Sequence, residues 1–282
     1  MQAVLVKQKR RVRPSGMVCG VVIAIFLLWT LVPVILILLT SFKRGPDIFT
    51  QVPRLIFQPT LENYANAFVR GNFAHFFMNS VIVAACTTVV SITIGTLAAY
   101  SLARLPVRGA GALTLGILAC RMVPPIALVL PLYGLMQAVH LLNTYAAVII
   151  AHSTINLPFV IWMMRGFFQE LPIELEESAQ VDGCSRLGSF LRIAVPLTAP
   201  GLAATTILCV LFSWNEFLFS VVLTDVNTRT LPVTISGFIG AVSVDWGGSS
   251  AAATIIMVPM IVMGLLVQKH PARGLTLGAV KG

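Results

Sequence analysis

Apolar residues in this chain gather into long runs separated by short polar connections. A helix needs about 20 mostly apolar residues to cross the hydrocarbon layer, at about 1.5 Å each. Six stretches meet or approach that length: Met17–Thr40, Phe77–Ala103, Ala110–Gln137, Tyr145–Met164, Gly201–Leu223 and Ala251–Gln268. The last is the shortest, and its start can extend back into the Gly/Ser-rich stretch around Gly247. The first run exceeds the 7–15 residues of a secretory-signal core. It also lacks a small-x-small cleavage site and ends in Thr40-Ser41-Phe42-Lys43, so it reads as a retained helix. The pattern predicts an all-α integral membrane protein with six transmembrane helices.

Composition points the same way. Of 282 residues 57% are hydrophobic and only 10% are charged, where a soluble domain carries about a quarter charged. A mean hydropathy of +0.91 excludes both a water-soluble domain and a disordered chain. The net charge of +9 sits in the gaps between runs. No basic stripe is interleaved with exposed aromatics, which argues against nucleic acid. With the N-terminus inside, 13 Lys/Arg fall in inner segments and 5 in outer ones, with Arg121 inside a span. That asymmetry places both termini in the cytoplasm. The chain divides into a basic N-terminus (1–16), a six-helix domain (17–268) and a C-terminal tail (269–282). Five cysteines show neither C-x-x-C nor a Cys/His spacing suited to zinc, so neither a disulfide framework nor a metal site is expected.

The inner loop 170–196 is the most informative segment. Pro172 suits the first turn of a helix, and Glu174, Glu176 and Glu177 complement the positive end of its dipole. Leu175, Ala179, Gly183 and Leu187 recur every four residues and predict one small, apolar face opposite an acidic one. Gly183 permits a sharp turn or a close backbone approach. A second short helix follows, with Leu187, Phe190 and Leu191 directed at the membrane. The segment reads either as a docking element for a soluble partner or as an ordinary interfacial helix.

The spacing Glu177-Ser178-Ala179, three residues, Gly183, nine residues, Ile193-x-Val195-Pro196 resembles the EAA loop of ABC-importer permeases. It departs from that pattern at Ser178, for Ala, and at Val195, for Leu. The resemblance covers nearly the whole chain and is closest to the carbohydrate branch, the second permease of maltose- or trehalose-type systems. It includes Leu61-Glu62-Asn63-Tyr64, Asn79-Ser80, Met122-x-Pro124-Pro125, Trp214-Asn215-Glu216-Phe217 and the tail Arg273–Gly282. It implies the type I importer permease fold in a bacterial inner membrane. The implied assembly holds a second permease, two ATPase subunits that bind ATP and Mg, and a periplasmic or lipid-anchored substrate-binding protein. It further implies that Glu177, Ser178, Ala179, Gly183, Ile193 and Pro196 form the ATPase-coupling loop, and that the tail touches the ATPase.

No phosphate-binding G-x-x-x-x-G-K-[ST], H-E-x-x-H or G-x-S-x-G is present, as expected of a transport subunit that binds no cofactor. Polar residues within spans are the pathway candidates. Arg121 precedes Pro124 and Pro125, where a broken helix frees carbonyls for the guanidinium; it is either a pathway contact or a structural anchor. Glu216 is placed either to meet sugar hydroxyls, with Trp214 stacking on a sugar face, or to pair with the partner permease; Asn215 beside it is a further pathway candidate, and Asn156 beside Pro158 is placed to point an amide at the cavity. Two readings remain beside the importer: a membrane-embedded lipid-modifying enzyme and a proton-coupled secondary carrier.

Overall fold

The computed structural model describes residues 14–50, 52, 54–70, 72–238 and 244–269. The basic residues Lys7 to Arg13 and the tail motif Arg273–Gly282 lie outside the described residues. The chain begins with α1 (Pro14–Ser41), a single turn α2 (Gly45–Ile48), α3 (Glu62–Arg70) and α4 (Phe73–Arg104). Next come α5 (Ala110–Cys120), α6 (Pro125–Ala138) and α7 (Tyr145–Glu170). The 170–198 segment folds as α8 (Glu174–Val181), α9 (Arg186–Ser189), a π turn over Phe190–Ala194 and α10 (Val195–Leu197). The chain closes with α11 (Ala199–Trp214), α12 (Leu218–Leu223), α13 (Leu231–Thr234), a 3₁₀ turn over Ile235–Phe238 and α14 (Trp246–Lys269).

Four of the expected spans are continuous: α1, α4, α7 and α14. α4 starts at Phe73 and α14 at Trp246, each earlier than its apolar run. The other two are broken, and six spans result only if each bent pair counts as one. α5 and α6 meet at 87° across Arg121–Pro124. Here Pro124 has no N–H to donate and disfavours the α conformation at Val123. The expected span Gly201–Leu223 is helical only to Trp214, stops at Asn215–Phe217 and resumes as α12. At its other end α11 turns 79° from the Arg186–Leu197 segment, where Pro196 and Pro200 interrupt donation.

α4 and α7 pack side by side as the central pair. Gly95 makes this possible, since a Cβ there would lie 2.6 Å from Val160 Cγ1. Around the pair the core falls into three clusters. One joins Ala99, Met164, Phe168, Phe190 and Cys209; a second joins Phe73, Ala84, Trp214, Leu231 and Ile256. The third joins Val129, Met136, Ala151, Phe219 and Leu223. α1 lies along α14 and keeps its apolar side chains exposed, Trp29 at 80%, as suits a span bathed in hydrocarbon.

The two ends of the bundle are distinct. At one end, Asn79 Nδ2 donates to the carbonyls of Asn227 and Arg229, each at 2.9 Å, while its Oδ1 accepts from Tyr145 Oη at 2.7 Å. Ser80 Oγ accepts from Leu231 N at 2.7 Å, and Asn143 N donates to Leu223 O at 3.0 Å. The Asn79-Ser80 pair therefore clamps the 225–231 connection. Asn63 Nδ2 likewise holds the Ser41 and Lys43 carbonyls, at 2.9 and 2.8 Å. The opposite end gathers the end of α4, the end of α7 and the α8–α10 segment.

Replacing Gly95 with Ala is expected to destabilise the protein by about 1–3 kcal/mol through overpacking. The double variant Gly95→Ala/Val160→Ala is expected to recover most of that loss. Thermal unfolding of the detergent-solubilised protein measures both.

Candidate functional site

At the α8 end, the acidic residues do not form one solvent-facing stripe. Glu176 turns inward and is 3% exposed. Its Oε1 accepts from Arg104 Nε at 2.7 Å and its Oε2 from the Tyr100 hydroxyl. Arg104 Nη2 donates in addition to Leu171 O at 2.8 Å. A charge withdrawn this far from water is tolerable only when its oxygens are met by charged and hydroxyl donors. The result ties α8 to the last turn of α4.

Glu177 and Ser178, by contrast, are exposed and Ala179 is half-buried. Ser178 Oγ donates back to Glu174 O at 2.7 Å. Gly183 has a φ of +89°, and two hydrogen bonds close the helix around it. Gly183 N donates to Gln180 O at 3.1 Å, and Cys184 N to Ala179 O at 2.9 Å. This pairing is the Schellman ending that glycine favours. The space where a Gly183 side chain would sit is open among the described residues, so within this chain the glycine serves the turn.

The apolar face differs from the expected one. Leu187 is carried on α9 and stays exposed, as does Leu191, while Phe190 is buried against Tyr100 and Phe168. Ile193 lies in the π turn half-buried, and Pro196 is exposed on α10. Ile173, Leu175, Val181 and Leu187 are 45%, 46%, 87% and 59% exposed. They form an apolar rim around a rigidly anchored short helix.

Within the spans, Glu216 and His152 form a buried pair, His152 Nε2 to Glu216 Oε2 at 3.0 Å. His152 Nδ1 lies 2.7 Å from Ser213 Oγ, and Nε2 lies 3.3 Å from Ser220 Oγ. Glu216 Oε1 accepts from Phe219 N at 2.8 Å and Oε2 from Ser220 N at 3.1 Å. The carboxylate thus caps α12 across the break and fastens it to α7. His152, Ser213 and Ser220 escape a motif search. A histidine within an apolar run, together with the one acidic residue in another, was the available signal.

The other interior candidates separate. Trp214 is 3% exposed; its Nε1 donates to Ile256 O at 3.2 Å and its ring meets Phe77 edge-on at 5.5 Å. It belongs to the core and offers no free face, because the helix ends with the indole turned toward α14. Asn215 is exposed and donates to Leu211 O at 2.8 Å. Asn156 is 1% exposed, its Oδ1 lacks a hydrogen bond among the described residues, and α7 continues through Pro158 as one helix. Arg121 does not pair with the carbonyls freed at the α5–α6 break. Its guanidinium carbon lies 4.8 Å from the Phe159 ring centre and 4.3 Å from that of Phe212, so aromatic faces replace the expected oxygens.

Residues 91–276 match the family of binding-protein-dependent transport system inner membrane components. The chain is 35% identical to the trehalose/maltose transport system permease protein of Thermococcus litoralis, over 89% of this chain and 92% of that one. It is 36% identical to the sulfoquinovosyl glycerol transport system permease protein of Agrobacterium fabrum, over 92% of each. Its fold also matches a chain in the crystal structure of a bacterial ABC transporter involved in import of the acidic polysaccharide alginate. That match has a TM-score of 0.77 and 22% identity, and it covers 95% of this chain and all of the other.

Truncating Glu176 to Ala strands Arg104 and the Tyr100 hydroxyl and is expected to cost about 3–5 kcal/mol. Hydrogen exchange across 174–184 is expected to accelerate in that variant and to stay unchanged in Glu177→Ala.

Proposed function

The chain belongs to the binding-protein-dependent transport system inner membrane components, and we propose that it carries a carbohydrate, polyol or sugar derivative through the bacterial inner membrane as the permease of an ATP-driven importer. It is a transport subunit and not an enzyme, which sets aside the lipid-modifying reading. The same membership sets aside the proton-coupled carrier. Relatives that move trehalose, maltose and sulfoquinovosyl glycerol support a saccharide or glycoside as cargo. The inner-segment excess of Lys and Arg supports cytoplasmic termini.

The observation that carries the coupling role is the construction of α8. Glu176 fixes its inner side to α4 by way of Arg104, and its apolar rim and Gly183 turn are left open. A helix anchored on one side and unpartnered on the other transmits displacement rather than absorbing it. Glu177, Ser178, Ala179, Gly183, Ile193 and Pro196 form the docking loop for one of two ATPase subunits, which hold the ATP and Mg. A second permease completes the pathway, and a periplasmic or lipid-anchored binding protein delivers the cargo at the Asn79 end. Closure of the ATPases displaces α8, and α4 moves with it, so that the cavity opens alternately to either side. Coupling depends on the two conformations engaging the ATPases with different free energies.

Gly183→Pro forces φ near −65° and removes the N–H that meets Gln180 O. Ala179→Trp crowds the rim. Both variants are expected to insert normally, to lose ATPase co-purification in mild detergent and to lose ATP-dependent uptake. Normal uptake in both would overturn the coupling role. Wild-type chain that co-purifies without an ATPase or second permease would overturn the importer assembly.

A further inference from the structure

Arg121 is a cation set at the depth where charge is least tolerated. It stacks on Phe159, which stands 14 residues from Tyr145 and 11 from Glu170 on α7. At 1.5 Å per residue these are about 21 and about 16 Å from the helix ends, near the middle of a hydrocarbon layer about 30 Å thick. Phe159 and Phe212 pack edge to face on one another at 5.1 Å and both lie to one side of the guanidinium, whose N–H groups have no hydrogen bond or ion pair among the described residues.

The chain's carboxylates are engaged or distant. Asp47 pairs with Arg54, Glu176 with Arg104 and Glu216 with His152. Asp225 and Asp245 hold backbone turns, and the other acidic residues lie at the two ends of the bundle. Beside Arg121 the backbone is non-helical to Pro124, and Met122 is 83% exposed. Non-helical backbone at this depth persists only against protein or water. The stretch beside Arg121 therefore faces protein or water rather than lipid, and no group among the described residues accepts from the guanidinium.

We propose that Arg121 faces the aqueous pathway and hydrogen-bonds the hydroxyl and ring oxygens of the passing carbohydrate through its free edge. A guanidinium carries five N–H donors in a fixed plane. The two rings hold the guanidinium from one side, which leaves donors on the other side free for a ligand. Neighbouring sugar oxygens suit such a fork, and hydroxyl acceptors hold the cargo weakly enough for it to leave again. The assignment rests on the carbohydrate-importer reading above and names a residue of this chain that touches cargo at mid-depth.

The test uses the assembled importer in proteoliposomes. In a background with the five native cysteines replaced by serine, Arg121→Cys is probed with the membrane-impermeant thiol reagent MTSES, with and without vanadate-trapped nucleotide. Labelling is expected in one state and at least about tenfold slower in the other; absence of labelling in both overturns the proposal. Uptake of labelled trehalose, maltose and sulfoquinovosyl glycerol is measured in parallel for wild type, Arg121→Lys and Arg121→Met. The Met variant is expected to lose uptake about tenfold or more while still co-purifying with its partner subunits, with Lys intermediate. Wild-type uptake rates in the Met variant overturn the contact. Loss of the second permease from the Met variant overturns it too, since the guanidinium then serves an interface. A wild-type importer that takes up none of the three probes counts against the carbohydrate reading itself, while the MTSES result still judges exposure to water.

Discussion

Both broken spans are held against one unbroken helix, and the rest of the bundle depends on that. α7 runs from Tyr145 to Glu170 without interruption. The α5–α6 break rests on it where Arg121 covers the Phe159 ring, and the α11–α12 break is fastened to it where His152 meets Glu216. A break in a membrane helix frees backbone donors and acceptors that hydrocarbon cannot satisfy. Glu216 answers one such need by accepting from two N–H groups of α12. α4 completes the spine, because Gly95 lets it approach Val160 without a side chain between.

The same logic governs the far end. Glu176 is withdrawn from water and met by Arg104 and Tyr100, so α8 cannot shift without disturbing α4. Phe190 extends the tie, since it packs on the Tyr100 ring that also reaches Glu176. The apolar rim of Ile173, Leu175, Val181 and Leu187 is left uncovered by a segment whose own anchors are satisfied. Rigidity on the inner side with exposure on the outer is what supports the proposed docking role. The Asn79 end is built from side-chain clamps on loop carbonyls, which fix the connections there without long helices.

Length and apolar runs were enough to read a multi-span helical membrane protein with a loop of special pattern at 170–196, because hydrocarbon imposes a length and a polarity that sequence displays directly. Proline placed the α5–α6 break in advance through its missing donor. The Gly183 turn was legible for a similar reason, as a positive φ favours glycine. The spacing from Glu177 to Pro196 singled out the loop without showing which of its residues turn inward.

Only the tertiary structure decided the partners. Nothing local separates Glu176 from Glu177, and it is the approach of Arg104, 72 residues earlier in the chain, that buries one and leaves the other exposed. The α11–α12 break carries no proline, and its position follows from a carboxylate held by a histidine 64 residues away. Trp214 is drawn into the core by the Ile256 carbonyl, while Arg121 finds rings from two other helices where its own freed carbonyls had seemed the nearer partners. The sequence determined what must lie in the membrane, because transfer from water is a property of each residue; which polar groups meet there is a property of pairs, and only the packing of distant helices brings those pairs together.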